Sequence, residues 1–98
     1  MSLPVVVRAA ARVDIQEGQD WFEQQQPGLG SEFASEVLQT LERIKAMPRM
    51  YGVAWRQVRA AGVKRFGYVV YYRVHADRVE VLAVMHGRRD AREWQSRA

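Results

Sequence analysis

Lys64-Arg65-Phe66-Gly67-Tyr68-Val69-Val70-Tyr71-Tyr72-Arg73-Val74, continued after His75-Ala76-Asp77-Arg78 by Val79-Glu80-Val81-Leu82-Ala83-Val84-Met85, is the stretch that decides the fold. Both halves are dense in aromatic and β-branched side chains, which suit a pleated, half-buried surface. The four residues between them have the composition of a hairpin turn, and Val79, Val81, Ala83 and Met85 alternate beyond it. A near-continuous apolar middle in both predicted strands, 64–74 and 79–85, places them centrally in a sheet with one face covered.

Working towards the N-terminus, Trp55–Ala60 is a candidate strand and Ala61-Gly62 supplies its turn. Before Pro48 the period changes from two to 3.6. Phe33, Val37, Leu41 and Ile44 form one helical stripe, flanked by Ala34, Leu38 and Met47. Ala11, Ile15, Gly18 and Phe22 form another, with Asp14, Glu17, Asp20 and Glu23 largely outside it. Pro27-Gly28-Leu29-Gly30 separates the two, so an antiparallel helical hairpin is expected. Val5-Val6-Val7 reads as a short strand, and Asp90 with Glu93 reads as a capping box for a short C-terminal helix carrying Trp94 and Arg97. The predicted order is β-α-α-β-β-β-α: an α+β domain over residues 1–98, with residues 1–4 outside its ordered part, and a helical hairpin packed on a small, mostly antiparallel twisted sheet.

Ninety-eight residues exclude a two-domain enzyme with its own cofactor module. Cysteine is absent, so disulfides and thiolate metal sites are excluded. Apolar runs such as Val81–Met85 are far short of a membrane span, and Met1-Ser2-Leu3-Pro4 lacks the basic and apolar regions of a secretion signal. A cytoplasmic protein with no membrane partner is expected. Charge divides unevenly: residues 1–48 hold four Lys/Arg against seven Asp/Glu, and residues 49–98 hold eleven against four. Thirteen of the fifteen cations are Arg, whose planar fork fits phosphate or carboxylate bidentately. Such a basic half suggests a polyanion or an acidic partner segment.

The chemical inventory is short. There is no glycine-rich phosphate loop, no Ser beside a His, and the two histidines, His75 and His86, lie eleven residues apart without a carboxylate cluster, so neither cofactor nor metal is expected. His86 ends the last strand beside Arg88 and Arg89. Arg56, Arg59, Lys64 and Arg65 flank the predicted turn at 61–62; alternation would send Arg56 and Arg59 to opposite faces and allow Arg59 and Lys64 to pair across the ladder. Together with Arg88 and Arg89 they are the candidate anion- or partner-binding residues. Tyr68, Tyr71 and Tyr72 read as sheet core or as base-stacking groups, and Trp94 near Arg97 as a staple for the last helix.

Trp21-Phe22, Pro27-Gly28-Leu29-Gly30, Met47-Pro48, Val58-Arg59, Val63–Tyr72 and Val84-Met85-His86-Gly87-Arg88-Arg89-Asp90 with Trp94, in that order, resemble the RelE/ParE superfamily of toxins from type II toxin–antitoxin systems. The resemblance spans about residues 5–97 and departs from the usual pattern at Gly67, where the family typically has Pro. It implies the fold already read from the periodicities, a role in plasmid stabilisation or stress response, and a cognate antitoxin whose partly acidic tail covers the Arg-rich sheet and C-terminal region; a homodimer or a toxin–antitoxin hetero-oligomer is left open. One branch of the superfamily resembles ribosome-dependent mRNA endonucleases. On that reading Arg65, His86 and Arg88 are the catalytic candidates, but Val69 falls where a phosphate-stabilising Arg is expected and Trp94 where a Tyr is expected. The ParE-like branch, described as poisoning DNA gyrase without a reaction of its own, is favoured. A small basic binding module without toxicity is the third reading.

Overall fold

The computed structural model describes residues 2–98. Its elements are β1 (Val5–Val7), α1 (Ala9–Gln25), α2 (Leu29–Ala46), β2 (Val53–Trp55), β3 (Val58–Gly62), β4 (Tyr68–Val74), β5 (Val79–His86) and α3 (Ala91–Gln95). The five strands form one sheet in the order β1-β5-β4-β3-β2, with β1 parallel to β5 and every other pair antiparallel. The expected α+β class and the central placement of the last two strands hold. Ahead of β1, the Pro4 carbonyl accepts the Val79 amide at 2.8 Å and Leu3 packs on the core; Met1 lies outside the described residues.

The helical hairpin covers one sheet face. Ala11 and Gly18 of α1 and Phe33, Val37 and Ile44 of α2 are buried against Val70, Tyr72, Val79, Val81 and Val84. Leu38 and Met47, expected to flank this stripe, point outward at 59% and 57% exposure. Between the helices only Gln26, Pro27 and Gly28 are non-helical. Gly28 takes φ +90°, and the Glu23 carboxylate of α1 accepts the amides of Gly28 at 2.9 Å and Gly30 at 3.0 Å, so one helix caps the start of the next. Gly30 permits the close approach: a Cβ there would lie 2.6 Å from the Gln19 carbonyl oxygen.

The opposite sheet face carries a second cluster of Val58, Tyr71, Leu82 and Met85 beneath α3, on which Trp94 stacks over Tyr71 at 4.2 Å and 11°. The Asp90 side chain caps α3 by accepting the Arg92 amide, but the Glu93 side chain turns to Arg89 instead of back to the cap, so the predicted capping box is half formed.

The hairpin boundaries differ from the sequence expectation. Trp55 pairs with Val58, so the turn is Arg56-Gln57, with Arg56 at φ +52°, and Ala61 and Gly62 are strand residues paired with Val70 and Val69. A two-residue hairpin needs a positive φ that glycine ordinarily supplies; here Arg supplies it, which hides the turn. Residues 64–67 then form the next turn, closed by the Val63 amide on the Tyr68 carbonyl at 2.8 Å.

Two outcomes follow. Gly30→Ala is expected to destabilise by about 1–3 kcal/mol through overpacking, despite the better helix propensity of Ala, as read by urea unfolding. Glu80, hydrogen-bonded by His75 at 2.8 Å and paired with Arg8 at 3.0 Å, has its carboxyl held below the ordinary value, first by the His75 bond. A depressed folded-state pKa contributes stability that is present above the unfolded value and lost as pH falls through the folded one. Wild type should therefore lose more stability between pH 6 and pH 3 than Glu80→Gln does.

Candidate functional site

A groove of about 480 Å³ opens between α1 and the end of the sheet where β5 finishes. Asp14, Glu17, Gly18 and Trp21 form its helical wall; Tyr68, Val84 and His86 form the sheet wall, and Phe22 and Phe66 the apolar end. Phe22 lies 4.8 Å from Phe66 and 5.1 Å from Phe33, so the floor is a packed aromatic cluster and not a loose cleft. Trp21, on the lip, is 54% exposed.

The groove exists because β1 pairs with only Val79–Val81, leaving the edge of β5 beyond them without a strand. Side chains take the strand's place. Asp14 accepts the Val84 amide at 3.0 Å, and Arg97 donates to the Leu82 carbonyl at 3.1 Å while pairing with Asp14 at 2.6 Å. The Arg97 carbonyl in turn accepts from Arg8. Asp14, read as lying largely outside the apolar stripe, thus faces the sheet, and Arg97, expected on the last helix with Trp94, lies beyond α3 and tethers the C-terminal segment to the strand edge.

His86 has a defined tautomer. Its Nδ1 accepts the Arg88 amide at 3.1 Å, so in the neutral ring the proton sits on Nε2. That nitrogen faces Gly67, where a Cβ would lie 2.8 Å away, and Gly67 takes φ +72°, which Pro cannot adopt. The departure at Gly67 therefore reshapes this turn and lets the imidazole in. Tyr68 stands edge-on to His86 at 5.8 Å. Burial raises the pKa of its phenol, against an opposing pull from Arg89, so at neutral pH it is a hydrogen-bond donor. Tyr68 and His86 both line the groove.

The expected basic cluster divides in two. Arg56 and Arg59 lie at the β2–β3 end, where Arg59 opposes Tyr72; Lys64, Arg65, His86, Arg88 and Arg89 lie at the other end, where Tyr68 opposes His86. Five residues at about 3.3 Å each separate Arg59 from Lys64 by about 16 Å along the chain. The expected Arg59–Lys64 ladder pair is absent because both lie on one side of the true turn. Arg56 sits in the Arg56-Gln57 turn with its guanidinium over Trp55, which packs with the α3-side cluster, while Arg59 opposes Tyr72 of the helix-side cluster; both residues line one small pocket. Arg65, at φ +75°, pairs with Glu32 at 3.2 Å, both side chains half exposed, and Arg89 clasps Glu93 at 2.7 and 2.8 Å. That hydrogen bonding to Glu93 is also what raises the Arg89 pKa. Lys64 and Arg88 have no ion-pair partner among the described residues.

The groove residues that the sequence reading did not single out are Asp14, Glu17 and Trp21. Their signal was a Trp beside the apolar stripe and acids on its flank, indistinguishable from a solvated helix face until β5 lay beside them. Trp94→Ala should cost about 3 kcal/mol or more by opening the second cluster, whereas Trp21→Ala should stay within about 0.5–1 kcal/mol of wild type by thermal or urea unfolding.

The profile of the family described as "ParE toxin of type II toxin-antitoxin system, parDE" matches residues 5–91. No curated protein sequence matches the chain significantly. Among solved structures, a chain of the "Chromosomal ParDE TA system from P. aeruginosa" superposes with a TM-score of 0.76 at 12% identity, covering 86% of this chain and 95% of that one. At that identity the superposition speaks for the fold, with the helical hairpin on the mixed sheet. The profile spans β1 through the start of α3, and by it the chain belongs to the ParE toxin family of type II toxin–antitoxin systems.

Proposed function

We propose that this type II toxin acts in the cytoplasm by poisoning DNA gyrase, and that a cognate antitoxin neutralises it by covering the α1–sheet groove and its cationic rim. The observation that carries this reading is the position of Trp94. Cleavage of mRNA needs a base for the 2′-hydroxyl, cations for the phosphorane and an acid for the leaving oxygen. Trp94, standing where the nuclease branch has a Tyr, is 5% exposed and stacked on Tyr71, on the sheet face away from the groove. Val69 offers no cation, and the Nδ1 lone pair of His86 is held by the Arg88 amide. Glu17 on the helical wall would repel a phosphodiester chain.

A surface for a protein partner is better supported. The groove offers an exposed Trp over a rigid aromatic floor, the kind of anchor that dominates protein interfaces. Arg88 and Lys64, on the adjoining turns and without an ion-pair partner among the described residues, suit acidic residues of a bound segment.

Purified protein is expected to inhibit gyrase supercoiling and trap cleaved DNA while leaving mRNA on ribosomes intact. Trp21→Ala should weaken that inhibition about tenfold or more, and His86→Ala should not create or remove RNA cutting. Ribosome-dependent cleavage abolished by His86→Ala or Arg88→Ala would refute the proposal. Growth arrest on expression, relieved by the product of an adjoining short reading frame, tests the antitoxin part.

A further inference from the structure

The far end of the sheet holds a second feature, independent of the groove. A pocket of about 290 Å³ is walled by Arg49, Arg56, Arg59, Gln57, Val53 and Val74. Three arginines line it, and no carboxylate among the described residues does. None of the three has an ion-pair partner among the described residues, a lack they share with Arg12, Arg43 and Arg88, whereas Arg8, Arg65, Arg73, Arg78, Arg89, Arg92 and Arg97 each have one.

The cluster is also built rather than merely collected. Tyr72, its phenol pushed up to about 12 chiefly by burial, donates to the Pro48 carbonyl at 2.6 Å. Arg59 donates through one terminal nitrogen to the carbonyls of Arg49 at 3.1 Å and Tyr51 at 2.6 Å. Those bonds fasten segment 48–51 to the sheet, carry Arg49 to the pocket and hold the Arg59 guanidinium in place. They leave its Nε and second terminal nitrogen with no hydrogen-bond partner among the described residues. Arg56, at φ +52° in the β2–β3 turn, lies over the Trp55 ring at 4.4 Å. A non-glycine residue in that region is strained, and the stacking limits where its side chain can go.

We propose that this pocket binds a phosphoryl group, supplied by a mononucleotide or by a nucleic-acid backbone. Three cations without a compensating acid favour a ligand of more than one negative charge. A phosphoryl group also offers a separate oxygen to each guanidinium, which a two-oxygen carboxylate cannot. Arg59 is the preset member, and Arg49 and Arg56 close from either side.

The test is a titration of ¹⁵N-labelled protein with inorganic phosphate, adenosine monophosphate, a short DNA duplex and poly-glutamate, following the Arg Nε–H signals. Saturable shifts at Arg56 and Arg59 with phosphate and the mononucleotide support the proposal with a free nucleotide as the source. Shifts with the duplex alone support it with the backbone as the source. No shift with any phosphate, or equal shifts with poly-glutamate, overturns it. Arg49→Gln/Arg56→Gln, both exposed and leaving the Arg59 clamp intact, should lower affinity for the bound phosphate ligand about tenfold or more. For the duplex the salt slope should also fall by about two. Lys64→Gln/Arg88→Gln at the other end of the sheet is the control: an equal loss there would mean general charge attraction and would overturn the site. Neither result depends on whether gyrase is the toxin's target.

Discussion

Strand β1 covers three of the eight residues of β5 and then the chain turns into α1, so the remaining five are left with an open edge. Buried backbone amides and carbonyls must find partners, and an unsatisfied one costs about 1–3 kcal/mol. Asp14 and Arg97 meet this demand from opposite termini of the chain, and they are paired with each other while doing so. The side chains are 11% and 24% exposed, so their attraction is screened less than that of a surface pair. That single arrangement fixes the approach of α1 to the sheet, holds the C-terminal segment in place, and leaves the groove open where a longer β1 would have run.

The arginines of the second half serve different ends, which explains how a small domain tolerates so many. Arg97 replaces a strand, Arg59 clamps a loop, Arg89 and Arg92 pair with acids around the short last helix, and Arg73 joins Arg8 of the first half and His75 on Glu80. The cations of the second half that have no acid among the described residues lie at the two ends of the sheet: Lys64 and Arg88 beside the groove, Arg49 and Arg56 with the fastened Arg59 at the other. Surface pairs contribute little to stability, so leaving these groups without an acid costs the fold little.

The two sheet faces divide the aromatic residues in the same way. Tyr68 and Tyr72 join the helix face, Tyr71 and Trp94 the other, and a register shift between Tyr71 and Tyr72 lets consecutive tyrosines both be buried. Tyr71 and Tyr72 are therefore core, and the half-buried Tyr68 forms part of the groove wall.

The class of the fold, the helical hairpin, the central strands and the family were legible in the chain itself, because hydrophobic period and β-branched density are local properties that survive without neighbours. The turn at Arg56-Gln57 was not, since its positive φ sits on Arg and nothing in the sequence marks it. That misplacement carried the Arg59–Lys64 pair with it. The α1 wall of the groove was equally hidden: whether an acid on a helix flank is solvated or bonded to a strand depends on how far β1 extends and where the C-terminus returns. Periodicity decides which elements form; only their packing decides which charges are consumed in holding the fold and which stay free, because that depends on contacts between residues as far apart as Asp14 and Arg97.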